Sequence, residues 1–282
     1  MWYKILSLAC FFFFSCSVLA ENYMCPEPIK VGWGDYPPFT EADEDAEMGV
    51  AGIDIELFNM MAEDVGCEVK YINAPWVNLL QSLKNGTIDV VTGASKTKDR
   101  EDFSHFLSPY IQDTNALFMK KADIKKYAGK IKNFEDMAKI PGFILGVAKG
   151  NYYGKEFEKA RQNPKFNAIV REFKNDEEEV EQIDMSKGKE KITAFLADIV
   201  FTYNHKEKEK IKAELDIYPL SISNEGLYFA YSKKSFEKRH ELMTKLNESM
   251  NKFINRLFNN DAFEDILSRY LTKNQVDLLR VN

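Results

Sequence analysis

Three times between residues 29 and 101 a short apolar run gives way to a stretch of helical period, and that alternation restricts the chain to an α/β architecture. Residues 29–33, 67–72 and 88–92 read as strands. The stretches 53–65 and 76–84 read as helices. In the first of these, Leu57, Phe58, Met61 and Val65 share one face, and Gly66 and Gly86 mark the two helix ends. A βαβαβα unit of this kind implies a parallel sheet with right-handed crossovers. The third strand is expected to leave the sheet through Gly93, Ala94 and Ser95. Thr97 then offers a helix N-cap, with Asp99 and Arg100 in the first turn.

Ligands of open α/β sheets collect beyond the carboxyl ends of the strands, which is where Arg100 falls. A cation is poorly placed for the macrodipole at a helix N-terminus. The planar fork of guanidinium donors, by contrast, suits a carboxylate held by two parallel hydrogen bonds. A surface arginine paired with Asp99, Glu101 or Asp102 is the alternative, and this stretch alone leaves both open. Two further features point to the same crevice. Asp35-Tyr36-Pro37-Pro38-Phe39 follows the strand 29–33, and Trp76 follows the strand 67–72. The paired prolines stiffen the turn that carries Tyr36. Two rings on neighbouring turns, beside an arginine on the third, are suited to sandwich a small ligand away from water.

The second half repeats this logic. A helix at 134–138, a strand at 143–147 and a turn at 149–151 leading into a helix through Phe157 and Ala160 are expected. They are followed by a strand at 170–173, a charged helix at 178–196, a strand at 198–203 and a lysine-rich helix at 206–215. The return runs through a strand at 227–231 to amphipathic helices at 236–258 and 262–270. The acidic run 176–181 and the lysines after His205 read as solvated helix faces.

Residues 1–20 read as a secretory signal: Lys4, a phenylalanine-rich apolar core, and a small-residue cleavage site at Val18-Leu19-Ala20. The formal net charge of −6 disfavours nucleic acid or an anionic membrane as partner. With Cys10 and Cys16 in the signal, Cys25 and Cys67 remain for an oxidising compartment. Cys25 sits just before the strand 29–33, and Cys67 starts the strand 67–72. If those strands are parallel neighbours, a structural disulfide is expected rather than two separate thiols, stabilising by at most roughly 4 kcal/mol. His105, His205 and His240 are scattered, with no metal-ligand spacing. There is no GxSxG elbow and no CxxC, and the Gly150–Lys155 stretch lacks the phosphate-loop spacing. No cofactor and no metal are expected.

Several ordered motifs together carry a resemblance. They are Tyr36-Pro-Pro-Phe39, Gly52-Ile-Asp-Ile-Glu-Leu57, Trp76 with Leu83-Lys-Asn-Gly-Thr-Ile-Asp89, the stretches 95–100 and 103–110, Lys149-Gly150, and the return strand at Gly226. In this order they resemble the family 3 extracellular solute-binding proteins, the polar amino-acid binding components of ABC importers. The resemblance implies a type II two-lobed clamshell, each lobe a mostly parallel sheet flanked by helices. Lobe one would comprise 22–112 and 223–282 and lobe two 113–222, with crossing hinge segments near 111–115 and 221–225. It implies a periplasmic monomer that hands a small ligand, an amino acid or related carboxylate, to an inner-membrane ABC permease.

By the same resemblance Arg100 is the carboxylate-binding arginine, with Ser95, Thr92 and Gly93 beside it and Tyr36 and Trp76 as stacking rings. Asn151 and Tyr152 fall where lobe two presents a helix N-terminus to the ligand. Relatives that bind α-amino acids hold the ammonium with an acid at the end of the strand expected at 198–203. Here that place falls on Tyr203, and Asp35 is the substitute from the opposite lobe. Two other readings remain. One is a dehydratase acting on prephenate- or arogenate-like acids, with Asp35 or Glu225 as proton donor. The other is an exported ligand sensor without a transport role.

Overall fold

A computed structural model describes residues 25–183, 192–208, 211–222, 225–257 and 261–279. The signal expected at 1–20 lies outside them. Among the described residues thirteen strands form two principal sheets and a small hairpin. In chain order they are β1 (Ile29–Trp33), β2 (Glu41–Ala42), β3 (Val50–Ala51), β4 (Val69–Asn73), β5 (Val90–Ser95), β6 (Ser104–Phe106) and β7 (Ile111–Gln112). Then follow β8 (Asn115–Lys120), β9 (Leu145–Ala148), β10 (Val170–Phe173), β11 (Ala194–Asp198), β12 (Leu215–Tyr218) and β13 (Gly226–Ser232).

The first sheet has the order β4-β1-β5-β13-β6, with β7 also paired to β13. β4, β1 and β5 run parallel, as the βαβαβα reading requires, and β13 returns antiparallel to β5, β6 and β7. The second sheet has the order β10-β9-β11-β8-β12, parallel from β10 to β11 and antiparallel beyond. The chain passes from one sheet to the other between Gln112 and Asn115, and returns between Tyr218 and Gly226. This is the two-lobed α/β arrangement, each lobe a parallel core closed by antiparallel strands.

Each lobe has its own core. The helix Ile53–Asp64 lays Leu57, Phe58 and Met61 onto the first sheet, where they meet Val31, Phe229 and Tyr231. Leu246 and Met250 of the helix His240–Leu257 close this core. Leu117, Leu145, Phe157, Phe166 and Leu196 form the second. Each such side chain contributes roughly 1.5–3 kcal/mol on burial.

The start of the helix Ile53–Asp64 fixes the turn that carries Tyr36. The N–H groups of Ile53 and Asp54 donate to the Pro38 and Phe39 carbonyls, at 3.1 and 3.0 Å. Gly52 makes this approach possible. Its φ is +123°, and a Cβ there would lie 2.3 Å from the Phe39 oxygen.

Cys25 and Cys67 are bonded, with Cα atoms 5.3 Å apart. Parallel pairing of β1 and β4, with Ile29 opposite Val69, brings the two strand starts side by side. Among the described residues no helix is long and apolar enough to cross a membrane.

Several expected boundaries are corrected. Gly93, Ala94 and Ser95 stay in β5, because β13 pairs Leu227 with Ser95 and Tyr228 with Ala94. Gly93, with φ +63°, sits beside the register shift in this pairing. The helix expected from residue 151 begins only at Lys155, after the Gly154 N-cap. The charged helix expected at 178–196 is Asp176–Gln182, and its far end is instead β11; residues 184–191 lie outside the described set. The strand expected at 198–203 is the helix Ile199–Glu207. Asp198 ends β11 and caps this helix, accepting from the Phe201 N–H at 2.8 Å, so the apolar run Ile199-Val200-Phe201 becomes a buried helical turn. Of the helix expected at 206–215, residues 206 and 207 end the helix Ile199–Glu207, 211–214 are irregular and β12 begins at Leu215; residues 209–210 lie outside the described set.

Candidate functional site

A cavity of about 270 Å³ opens between the two sheets at the carboxyl ends of β1, β4 and β5. The first lobe lines it with Asp35, Tyr36, Trp76, Thr92, Gly93, Ser95 and Arg100, all expected from the sequence. The second lobe adds Asn115, Asn151, Tyr152 and Asp176, and the crossing segment adds Asp113.

Arg100 lies in the four-residue helix Lys98–Glu101, whose N-cap Thr97 accepts its N–H through Oγ1 at 3.3 Å. The residue is 8% exposed. Its Nη1 donates to the Ser95 carbonyl and its Nη2 to the Gly150 carbonyl, both at 2.8 Å. The guanidinium lies 5.4 Å from the Trp76 ring centroid, and Trp76 Nε1 donates to the same Gly150 oxygen at 3.1 Å. The neighbouring Glu101 is instead paired with Lys96 at 3.0 Å. Arg100 is therefore an inward-facing group and not one half of a local surface ion pair. Burial lowers its pKa to about 10, against the pull of Glu158 and Asp113, so it is cationic at neutral pH. Two of its five N–H donors are used, which leaves donors for an anion.

Tyr36 and Trp76 both face the cavity, each with a ring contact already made. The Tyr36 ring stacks on Phe201 of the second lobe, with centroids 4.6 Å apart and planes 10° off parallel. Lys208 of the second lobe also meets Glu41 of the first at 2.7 Å, outside the cavity lining. The two lobes therefore touch at Tyr36 and Glu41 and, through the Gly150 carbonyl, at Trp76 and Arg100.

Three carboxyl groups line the cavity that sequence reading did not assign to it. Asp54, the second residue of its helix, is 2% exposed, and its Oδ1 has no hydrogen-bond partner. Burial raises its pKa to about 7, with the Tyr110 and Thr92 hydroxyls pulling the other way. Asp113 accepts from Asn115 Nδ2 at 2.6 Å, and burial together with Asp198 holds it well above the usual carboxylate range. Asp176 accepts from Asn151 Nδ2 at 2.8 Å, and burial raises it to about 6. No group of three His, Cys, Asp or Glu side chains among the described residues is arranged to hold a metal.

Three sequence expectations change here. Tyr203 is on a helix, packs edge-on against Phe118 at 6.0 Å and does not line the cavity. The residue that ends the corresponding strand is Asp198, an acid, bonded to Thr114 Oγ1 and the Phe201 N–H and likewise outside the lining. Asn151 and Tyr152 do line the cavity but belong to a loop. That loop turns at Gly150, φ +85°, so that a carbonyl rather than a helix N-terminus meets Arg100. Of the other acids, Asp35 lines the cavity, is exposed and accepts from the Ala42 N–H at 3.2 Å, whereas Glu225 is paired with Lys155 at 3.3 Å.

The pKa of Asp54 carries a stability prediction. It is about 7 in the fold against an ordinary 3.8, so its contribution is full below pH about 4 and lost as pH rises through about 7. Asp54→Asn, neutral at every pH, is expected to raise the melting midpoint of the ligand-free protein at pH 8, and the gain should shrink as pH falls toward 4. A gain of equal size at both ends of that range would show that burial of the charge is not the cause.

A sequence profile of the bacterial extracellular solute-binding proteins, family 3, matches residues 29–273. The "Probable histidine-binding protein" of Neisseria gonorrhoeae is 24% identical over 142 residues, 50% of this chain and 52% of that protein. The "Cyclohexadienyl dehydratase" of Pseudomonas aeruginosa is 31% identical over 81 residues, 28% of this chain and 30% of that protein. The chain thus aligns to about half the length, or less, of these relatives. Among solved structures, an ancestral arginine-binding protein bound to arginine superposes with a TM-score of 0.68 at 22% identity, covering 87% of this chain and 98% of that one. At that identity the likeness speaks for the fold.

Proposed function

The chain belongs to the bacterial extracellular solute-binding proteins, family 3, and from that premise we propose that it captures a small carboxylate-bearing solute, an amino acid or close derivative, for an ABC importer. The observation that carries this reading is the Arg100 guanidinium, 8% exposed and turned into a cavity between two lobes. A charged fork out of water binds a carboxylate far better than one at the surface, since the competing solvent is gone. The cavity, at about 270 Å³, is slightly smaller than the usual ligand pocket of roughly 300–1,000 Å³. That favours a single amino acid over a peptide.

In this reading lobe one, 22–112 with 223–282, takes the solute first, through Arg100, Ser95, Thr92, Gly93, Tyr36 and Trp76. Lobe two, 113–222, then adds Asn151, Tyr152 and Asp176. Ligand favours the closed state by the contacts it makes only there. The Arg100–Gly150, Trp76–Gly150 and Glu41–Lys208 contacts are cross-cleft bonds of that state. An inner-membrane permease would read the surface that closure brings together, and the protein would work in the periplasm after loss of residues 1–20.

A thermal-shift screen over the protein amino acids and their keto acids tests this reading. At least one amino acid should raise the midpoint, because a ligand of the folded state alone stabilises it in proportion to the logarithm of its concentration over Kd. Stabilisation by none of them would contradict the reading. A second reading has one observation in its favour. Asp54 and Asp176, with pKa values near 7 and 6, are protonatable groups inside the cavity, as an acid-assisted dehydration requires. Turnover of prephenate or arogenate by the purified protein would support that reading over transport.

A further inference from the structure

We propose that the solute held in this cavity carries a second positive charge in addition to its α-ammonium: a monocarboxylic amino acid with a basic side chain. The inference rests on the reading that Arg100 takes the ligand carboxylate, and it follows from the balance of charge on the cavity wall.

Asp54 and Asp113, 2% and 9% exposed, and the partly buried Asp176 bring three carboxyl groups to the cavity against one buried cation, Arg100. Their hydrogen-bond neighbours are all neutral. They are the Asn115 amide for Asp113, the Asn151 amide for Asp176, and the Tyr110 and Thr92 hydroxyls near Asp54. One oxygen, Asp54 Oδ1, is buried with no partner. Lys149 and Lys174 are the other cations of the lining and Asp35 its other acid, and all three are exposed.

A carboxylate shut away from water without an opposite charge costs several kcal/mol, so such groups are held toward their neutral form until a cation arrives. A zwitterion with one ammonium brings no net charge. Once its carboxylate has taken Arg100, its ammonium can satisfy one of the three acids and leaves two facing neutral groups. A ligand with two cationic nitrogens satisfies a second.

The strand-end acid is not available for this task. Asp198 is committed to Thr114 Oγ1 and the Phe201 N–H and does not line the cavity. The cation sites therefore fall to Asp113, on the segment between the two sheets, and to Asp176, the first residue of the helix Asp176–Gln182.

The test is isothermal titration of the full-length mature protein with two pairs of near-isosteres: L-arginine against L-citrulline, and L-lysine against L-norleucine. In at least one pair the cation should bind at least about thirtyfold tighter than its neutral counterpart, the range expected for a desolvated charge pair. Asp176→Asn or Asp113→Asn, each isosteric and checked for an unchanged melting profile, should reduce that ratio to about threefold or less. Neutral members binding as tightly as the cations, a ratio untouched by both Asp176→Asn and Asp113→Asn, or no binding by any of the four would each overturn the proposal. Agmatine, which is arginine without its carboxylate, separates the two levels of the argument. Agmatine binding as well as arginine sinks the carboxylate reading itself. Citrulline matching arginine while agmatine fails sinks only the second charge.

Discussion

Arg100→Ala is expected to weaken binding of the amino-acid ligand by at least about a hundredfold, roughly 2.7 kcal/mol, which in a routine titration reads as loss of binding. The size follows from the surroundings of the guanidinium. The guanidinium is 8% exposed, and without its positive charge the ligand carboxylate would be left in the cavity with Asp54, Asp113 and Asp176. Arg100→Lys should fall between the two, because it keeps the charge and loses the fork. Stability should change much less than affinity. The donors that disappear serve the Ser95 and Gly150 carbonyls at the cavity wall, where water can replace them. An unchanged Kd in Arg100→Ala would mean that the cavity has been assigned to the wrong ligand chemistry.

Reduction of the Cys25–Cys67 bond is expected to lower stability by about 4 kcal/mol in the chain-entropy model, in which a bridge stabilises by restricting the unfolded chain. The sequence separation of 42 residues sets that value. For a chain of this size the loss corresponds to a fall on the order of 10 °C in the melting midpoint. Ligand affinity should hardly move. The bridge ties the starting ends of β1 and β4, whereas the cavity lies at their carboxyl ends, beside Trp33 and Asn73. A melt in the presence of a reductant, repeated on a Cys25→Ser/Cys67→Ser double variant, checks both points. A drop of less than about 2 °C, or a large loss of affinity, would contradict this account of the bridge.

The parts of the fold that could be read from the sequence are those fixed by near neighbours. β1, the helix Ile53–Asp64 and the helix Trp76–Asn85 declare themselves through local periodicity and glycine stops, and so does the position of Arg100 after β5. What failed depended on distant partners. The end of β5 is set by pairing with β13, more than a hundred residues later, so no local signal places Ser95 inside the sheet. The run Ile199-Val200-Phe201 suits a strand or a buried helix equally well, and the Asp198 cap decides between them. Reading it as a strand moved the strand end by five residues and put Tyr203 where Asp198 belongs.

The acids of the cavity were hidden for a related reason. Asp54 sits in the first turn of a helix, where an acid is ordinarily explained by the macrodipole. Asp176 opens an acidic run that reads as a solvated face, and Asp113 lies in a crossing segment without periodicity. Asp54 reaches the cavity within the first lobe, beside Thr92 and Tyr110, whereas the approach of the second sheet brings Asp176 into the same lining.

The central claim is that the Arg100 guanidinium grips a solute carboxylate in the space between the lobes, and a crystal structure of the protein with the amino acid that most raises its melting midpoint tests it most directly. The account predicts both carboxylate oxygens about 2.7–2.9 Å from guanidinium nitrogens, with Trp76 still against the guanidinium. Ligand density elsewhere, with Arg100 bonded only to the Ser95 and Gly150 carbonyls, would contradict it.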